Sequence, residues 1–210
     1  MIPGVILAAG ASSRIGRPKA LLPTGIEGET FLSRLVETFW AGGVEDVVVV
    51  ASRQSGDIER MLAGVSRAPR VVDNPHPERG QLSSVRVALA AIDKPGVSGM
   101  LLTLVDVPFV SPSTVRIVLE TFLRTGGSIV RPTSGDTHGH PVLFGRPLFN
   151  ELRQASDAAG AKTVVRAHAA DIVNVPVDDQ GAFTDVDTRE DYESIVGPWP
   201  FVDRVPTPRL

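Results

Sequence analysis

The 210-residue sequence contains no cysteine. This absence excludes disulfides, thiolate metal sites and cysteine nucleophiles, and it agrees with a reducing compartment, so we expect a cytoplasmic protein. Positive charge is not in excess, since 21 Lys and Arg face 24 Asp and Glu. Because binding to nucleic acid requires clustered surplus Lys and Arg, we expect no nucleic-acid partner. No apolar run approaches the roughly 18 residues of a membrane span, so we expect no membrane association.

What the sequence does contain is an alternation of short aliphatic runs and longer segments of helical period. This alternation is typical of a mostly parallel sheet covered by helices. The predicted strands are 4–9, 46–51, 70–73, 99–105, 128–131, 140–144 and 172–177. The predicted helices are 29–41, 55–64, 82–92, 112–125, 146–155, 159–169 and 188–196.

The helix predicted at 112–125 has the clearest boundaries. Ser111 can cap it, Pro112 stands in its first turn, and Gly126 follows its end. Its apolar positions are Val115, Val118, Leu119, Phe122 and Leu123. Other aromatic residues expected in the core or at an interface are Phe39, Trp40 and Phe149.

We expect a single domain over residues 1–197, because no linker divides the chain. The stretch 198–210 contains four prolines and cannot continue a helix. It is predicted to be an extended tail lying on the surface or on a partner chain.

The first predicted strand leads into a glycine-rich, basic loop, in the sequence GVILAAGASSRIGRPKALLP at 4–23. A loop of this kind presents free backbone N–H groups that can bind phosphate, and Gly10 leaves room for a close approach. Arg14 and Lys19 add local positive charge. The loop matches neither the P-loop pattern nor GxGxxG, and by itself it is equally consistent with a solvated surface loop.

Carboxylates follow a second buried strand and a later extended segment. Asp106 ends the apolar run in LLTLVDVPFV, and the carboxyl ends of parallel strands meet at one edge, so it should lie near Gly10. A cationic loop and a carboxylate can together hold a nucleotide phosphate and Mg²⁺. Asp185 and Asp187 are further candidate ligands, with an exposed turn as the alternative, and Asp191 is predicted to cap the helix that follows.

Several motifs agree in order and spacing with one known family. They are LAAGASSRIGRPKALLP at 7–23, RGQLSSVRVAL at 79–89, LVDVP at 104–108, GHPVLF at 139–144, GAK at 160–162 and DVDTREDY at 185–192. With these motifs the chain resembles the MobA-like nucleotidyltransferases, and among them it is most similar to the molybdenum cofactor cytidylyltransferases.

The resemblance implies a Rossmann-like, three-layer α/β/α fold with helices on both faces of the sheet. It implies transfer of NMP from an NTP to a phosphorylated acceptor of molybdopterin type, with Mg²⁺ as cofactor and release of pyrophosphate. It also implies a partner molybdoenzyme or chaperone. The implied nucleotide-binding residues are Leu7, Ala8, Ala9, Gly10, Ala11, Ser12, Gln81, Ser83 and Ser84. The implied catalytic residues are Arg14, Lys19 and Asp106, and the implied metal ligands are Asp106, Asp185 and Asp187.

Two details bear on the substrates. Within this family the sequence LAAG at 7–10 goes with cytidylyl transfer, whereas the guanylyl branch tends to have LAGG, which favours CTP here. Lys162 stands where relatives have arginine, and lysine lacks the bidentate phosphate geometry of arginine. Arg79 could reach an acceptor phosphate, whereas Arg86 is expected to be a solvated helix position.

Two other functions remain open: transfer to a different phosphorylated acceptor, and binding of a nucleotide or flavin without transfer, as a redox or partner-binding protein. Retention of all three candidate metal carboxylates favours catalysis. His138 and His140 lie two residues apart without a third nitrogen or sulfur ligand, so we do not expect them to form a zinc site.

Overall fold

The computed structural model describes residues 1–10, 12–52, 57–62, 64–157 and 160–201. Within these residues eight strands form one sheet. They are β1 (Gly4–Leu7), β2 (Val47–Ala51), β3 (Arg70–Asp73), β4 (Gly99–Leu104), β5 (Ile129–Ser134), β6 (Thr137–His138), β7 (Val142–Gly145) and β8 (Ile172–Pro176).

The sheet is mostly parallel and has the order β3-β2-β1-β4-β7-β5-β6, with β8 also paired to β5. β1 lies between β2 and β4 and is parallel to both. β7 is antiparallel to both β4 and β5, and β6 forms a short antiparallel hairpin with β5. The predicted α/β class and mostly parallel sheet are confirmed. The short strand β6 was not among the predicted strands.

Helices cover both faces of the sheet, as expected for three layers. They are α1 (Phe31–Ala41), α2 (Asp57–Leu62), α3 (Gln81–Ile92), α4 (Pro112–Thr125), α5 (Phe149–Gln154), α6 (Lys162–Ala167) and α7 (Arg189–Ile195). Alternate residues of the central strands divide the core, so that Ile6 packs with α1 and α4 while Val5 packs with α3 and α5. This two-sided burial explains the continuous apolar runs of these strands.

The helix ends follow local sequence rules. The Ser111 side chain accepts a hydrogen bond from Thr114 N, and Gly126 ends α4 in the left-handed conformation with a φ of 63°. Leu123, predicted on the apolar face of α4, is instead 71% exposed. Its position lies outside the stripe formed by Val115, Val118 and Phe122, which packs against the core.

Two predicted helices contain less α-helix than expected. The segment 146–155 begins as a 3₁₀ turn before α5, and 159–169 contains only α6 before a second 3₁₀ turn. Residues 55, 56, 63 and 159 of the predicted helices lie outside the described residues. The structure describes the proline-rich tail as far as Phe201, and this part packs against α7 through Trp199 and Tyr192, whose ring centroids are 5.2 Å apart. Among the described helices, none is long and apolar enough to cross a membrane.

Candidate active site

A pocket of about 330 Å³ opens at the carboxyl ends of β1 and β4. This is the edge at which ligands bind in open α/β sheets, and the volume is in the range of small-molecule sites. Gly10 and Asp106 both line the pocket, as their positions after these two strands predict. The lining comprises Leu7, Ala9, Gly10, Ser12, Ser13, Arg14, Lys19, Pro77, Gly80, Gln81, Ser84, Leu104, Val105, Asp106 and Asp187.

The loop after β1 is shaped by a tight turn at Ser12. Its carbonyl accepts hydrogen bonds from Ile15 N at 3.2 Å and Gly16 N at 2.9 Å. Ser12 has a φ of 49°, which is unusual for a residue other than glycine, and Gly16 has a φ of 71°. The Ser12 hydroxyl accepts from Lys19 N at 3.1 Å and so joins the start of the loop to its end. Strained backbone of this kind often occurs where a loop binds a ligand.

Gly10 contributes open space to the pocket. A Cβ atom placed on this residue would find no other heavy atom within 4 Å, so packing inside the protein does not require glycine here. The absent side chain leaves room on the pocket side for a ligand to approach the backbone.

Lys19 is the central charged group of the pocket. Its side chain is only 10% exposed, and Nζ lies 3.2 Å from Asp106 Oδ2 and 2.5 Å from Asp187 Oδ1. Arg14, which is 67% exposed, adds a contact of 2.8 Å between Nη1 and Asp187 Oδ2. The hydrogen bond from Lys19, assisted by the charge of Arg14, lowers the pKa of Asp187, so this carboxylate is ionised at neutral pH.

A backbone contact brings the late acidic segment to the end of β4. Val186 N donates to Asp106 O at 2.8 Å, and the Val186 side chain is fully buried. Burial of this valine holds the extended segment in place, so that Asp187 lies beside Lys19. Asp191 Oδ2 accepts from the backbone N–H groups of Asp187 at 3.0 Å and Thr188 at 2.8 Å, which confirms the predicted cap of α7.

The opposite wall of the pocket is formed by the start of α3. Gly80 precedes this helix with a φ of 89° and a ψ of −179°, a conformation that essentially only glycine adopts. Gln81 and Ser84 line the pocket beside it. Ser84 Oγ accepts a hydrogen bond of 2.9 Å from Asn74 Nδ2.

Ser83, predicted to lie near the base and ribose, does not line the pocket. Its hydroxyl donates to Gly80 O at 2.8 Å and to His76 O at 3.0 Å, and it accepts from Asn74 Nδ2 at 2.8 Å. Consecutive residues on a helix point in different directions, and only Ser84 of this pair faces the cavity. Asn74, which is 1% exposed, organises this wall. Asn74 was not predicted as a site residue, although an asparagine between the end of a strand and a proline was an available signal.

The remaining predicted site residues have varied positions. Ala8 is buried and is not part of the lining, and its N–H donates to Val50 O at 2.8 Å within the sheet. Ala11 lies outside the described residues. Asp185 is exposed and also does not line the pocket, and partial desolvation of its carboxyl together with the charge of Asp106 raises its pKa. His140 is half-buried, and desolvation lowers its pKa, so it is neutral at pH 7.

Arg86 is not the solvated residue that the sequence predicted. Its guanidinium bonds to Asp157, to Arg153 O and to Ala155 O, and so it connects α3 to the end of α5. Arg79 stands beside the pocket-lining Gly80 but contacts Asp157 through Nη2 at 2.9 Å. The guanidinium of Arg79, which could have reached an acceptor phosphate, is therefore paired with Asp157.

The donor set can be tested against a divalent metal. Among the described residues no group of three or more histidine, aspartate or glutamate side chains is arranged to hold an ion, so the three predicted ligands do not form a complete cage. Asp106 Oδ1, however, is buried without a hydrogen-bond partner. Mg²⁺ is commonly held by one or two carboxylates together with substrate phosphates, and Asp106 with Asp187 fits that requirement.

Comparison with known proteins identifies the class. The family model described as MobA-like NTP transferase domain matches residues 4–172. Over 197 residues the chain is 32% identical to nicotine blue oxidoreductase of Paenarthrobacter nicotinovorans, covering 90% of this chain and 93% of that protein. It is 30% identical to the molybdenum cofactor guanylyltransferase of Sinorhizobium fredii over 83% of this chain and 79% of that protein. It is 25% identical to the molybdenum cofactor cytidylyltransferase of Escherichia coli, over 90% and 92% respectively.

Solved structures agree with this assignment. The structure of Rv0371c from Mycobacterium tuberculosis superposes with a TM-score of 0.78 at 29% identity, covering 95% of this chain and 100% of that one. A manganese complex of Rv0371c gives a TM-score of 0.75 at 28% identity, with 93% and 97% covered. The chain belongs to the MobA-like NTP transferase family and is a nucleotidyltransferase of that family. Its relatives include both a guanylyltransferase and a cytidylyltransferase, so membership does not select the base.

Proposed function

We propose that the protein transfers CMP from CTP to a phosphorylated acceptor of molybdopterin type, in a reaction that depends on Mg²⁺ and releases pyrophosphate. The observation that carries this proposal is the convergence of Arg14, Lys19, Asp106 and Asp187 on one pocket at the carboxyl edge of the sheet. Cations and carboxylates in one cavity match a substrate that combines a triphosphate with a divalent metal.

The chemistry requires alignment and charge neutralisation more than covalent participation. An oxygen of the acceptor phosphate attacks the α-phosphorus of CTP, a new P–O bond forms, and the bond to the bridging oxygen breaks as pyrophosphate leaves. The acceptor phosphate is already ionised at neutral pH, so no general base is needed. Lys19 and Arg14 stabilise the negative charge that accumulates on the phosphate oxygens.

Lys19 is suited to this role because its ammonium is held in place before the substrate arrives. Its backbone N–H bonds to Ser12 Oγ, and its Nζ is fixed by two carboxylates. A preorganised charge stabilises the developing anion without further reorganisation. Arg14 is more exposed and can exchange Asp187 for a phosphate.

The metal would be held by Asp106 together with Asp187 or Asp185. When bound, Mg²⁺ supplies charge neutralisation at the phosphate oxygens. The manganese complex of Rv0371c supports a divalent ion in a protein of this fold. The base is proposed from the LAAG sequence at 7–10. Location in the cytoplasm and a partner molybdoenzyme or chaperone stay predictions.

The test is pyrophosphate release by purified protein with Mg²⁺ and each NTP in turn, with and without molybdopterin. We expect release only when CTP and molybdopterin are both present. Release with GTP instead of CTP would support the same reaction with guanine as the base. Release only when another phosphorylated compound replaces molybdopterin would support the same reaction with a different acceptor.

A second candidate function is an oxidoreductase without nucleotidyl transfer, which is favoured by the 32% identity to nicotine blue oxidoreductase over 90% of this chain. The two functions differ in their dependence on Asp106, which nucleotidyl transfer needs and nucleotide binding alone does not. No pyrophosphate with any NTP and acceptor, together with reduction of nicotine blue by a reduced nicotinamide or flavin, would establish the second function.

A further inference from the structure

Between Ser12 and Lys19, whose side chain is paired with Asp106 and Asp187, the loop that carries Arg14 has three further side-chain anchors among the described residues. Ile15 is 6% exposed and packs in the core. Arg14 Nη1 contacts Asp187 Oδ2 at 2.8 Å. The guanidinium carbon of Arg17 lies over the Phe201 ring, 3.9 Å from its centroid. The third anchor joins this loop to a segment that lies 184 positions later in the chain.

Phe201 belongs to a row of aromatic rings that begins in the core. Phe201 and Trp199 have centroids 5.2 Å apart with an interplanar angle of 67°, and Trp199 and Tyr192 are also 5.2 Å apart, at 87°. Tyr192 is 2% exposed, stacks 6.1 Å from Phe31, and donates its hydroxyl hydrogen to Pro23 O at 3.0 Å. Edge-to-face rings at these distances attract one another, so the row of rings holds Phe201 in a fixed position relative to the core.

We propose that Trp199 and Phe201, here called the aromatic strap, position the phosphate-binding loop through Arg17, so that Phe201 is a positioning residue for nucleotide binding. The proposal rests on the proposed function, because it assumes that the loop binds a triphosphate. Arg17 does not line the pocket, so its contact with Phe201 is compatible with a bound nucleotide.

The strap matters most when substrate is bound. A triphosphate that takes Arg14 removes the ion pair with Asp187, and with it one of the three anchors between Ser12 and Lys19. Lys19 still holds the end of the loop, and Ile15 and the Arg17–Phe201 contact hold the part between. Ordering a free loop costs conformational entropy at the moment of binding, and a loop that is already held avoids that cost.

The size of the effect follows from the contact. Arg17 is exposed and Phe201 half-buried, and a cation–π contact of this kind corresponds to roughly a two- to fivefold change in affinity. We therefore expect Phe201→Ala to raise the Kd and KM for the nucleoside triphosphate by roughly two- to fivefold, with kcat nearly unchanged. Phe201→Tyr keeps the ring and should behave as the wild type.

A matched control is present elsewhere in the chain. The guanidinium carbon of Arg67 lies 4.3 Å from the centroid of the Trp40 ring, and neither residue lines the pocket. Trp40→Ala thus removes an arginine–aromatic contact that has no link to the loop. Binding of CTP and of GTP with Mg²⁺ is measured by titration calorimetry for wild type, Phe201→Ala, Phe201→Tyr and Trp40→Ala, with thermal melting as the check on folding.

A second readout needs no nucleotide. Trypsin can cleave between Arg14 and Ile15, and mass spectrometry follows that one bond. We expect cleavage in Phe201→Ala to be roughly two- to fivefold faster than in wild type, with Phe201→Tyr and Trp40→Ala unchanged.

The outcomes separate the two proposals. If wild type binds triphosphate and Phe201→Ala binds it equally well, the strap is not a positioning device, whatever the cleavage rate. Equal cleavage rates in wild type and Phe201→Ala also overturn it. If neither nucleotide binds wild type, the proposed function fails, and the cleavage experiment still decides whether Phe201 holds the loop.

Discussion

Replacement of Lys19 by methionine tests the charge arrangement on which the site depends. The ammonium contacts both Asp106 and Asp187 and is 10% exposed. Removing one partner of a fully buried ion pair costs about 3–5 kcal/mol. The two carboxylates are 25% and 32% exposed, and Arg14 still contacts Asp187, so water and the remaining cation reduce this cost. We expect a loss of about 1–2 kcal/mol in the free energy of unfolding at pH 7.

The destabilisation caused by Lys19→Met should depend on pH in a defined direction. The hydrogen bond from Lys19 lowers the pKa of Asp187 in the folded protein. A carboxyl with a lowered folded pKa stabilises the fold above its unfolded value of about 3.9, and that stability is lost as pH falls through the folded pKa. Without Lys19 there is less of this stability to lose. The difference between wild type and Lys19→Met should therefore be full at pH 7 and smaller at about pH 3, which lies below the unfolded pKa.

The assay is urea unfolding of wild type, Lys19→Met and Lys94→Met at pH 7 and at about pH 3. Lys94 is exposed and serves as the matched control for loss of a lysine charge. Lys94→Met should unfold within about 0.5 kcal/mol of wild type. If Lys19→Met is destabilised no more than this control, or equally at both pH values, the ammonium does not stabilise the two carboxylates. The hypothesis that Lys19 is a preorganised charge would then have to be abandoned.

Three further predictions concern the same pocket. Asp106→Ala should abolish pyrophosphate release. Its melting temperature should stay near that of wild type, because Lys19 keeps Asp187 as a partner and the backbone bond to Val186 is retained. Turnover at the full rate would exclude Asp106 as a metal ligand. Asn74→Ala should lower the free energy of unfolding by about 1–3 kcal/mol, since it removes donors to two buried serine hydroxyls, and an unchanged urea midpoint would contradict this. Partial desolvation and the charge of Asp106 raise the pKa of Asp185, so ionisation of Asp185 opposes folding as pH rises through its folded pKa. Asp185→Asn should therefore melt at or above the wild-type temperature at pH 7, and a clearly lower melting temperature would refute the assignment.

The features predicted correctly from the sequence are those set by residues close together in the chain. Thr188 and Asp191 stand three positions apart, and this spacing alone predicts the capping box that the structure has. Ser111, Pro112 and Gly126 likewise fix both ends of α4. The continuous apolar strands predict the buried parallel sheet, because only burial on both faces accommodates such runs.

Contacts between distant segments were not predictable in this way. Arg86 was expected to be solvated from its position on the helix, but its partners lie outside that helix. The carbonyls of Arg153 and Ala155 come to it from 67 and 69 positions away. The direction of β7 depends on its pairing with both β4 and β5, which its own residues do not encode.

The pairing of Lys19 with Asp187, 168 positions apart, shows how an apolar residue determines the charge geometry of the site. Asp185 and Asp187 are equivalent in sequence, since each is an aspartate in an extended stretch. What distinguishes them is Val186, whose side chain is buried and whose N–H bonds to the carbonyl of Asp106. This contact holds the segment at the end of β4, with Asp187 beside Lys19 in the pocket and Asp185 outside its lining. The two carboxylates consequently have pKa values shifted in opposite directions, lowered at Asp187 by a cation and raised at Asp185 by partial desolvation and a neighbouring acid. The roles of chemically identical residues are therefore assigned by the packing of the residue between them.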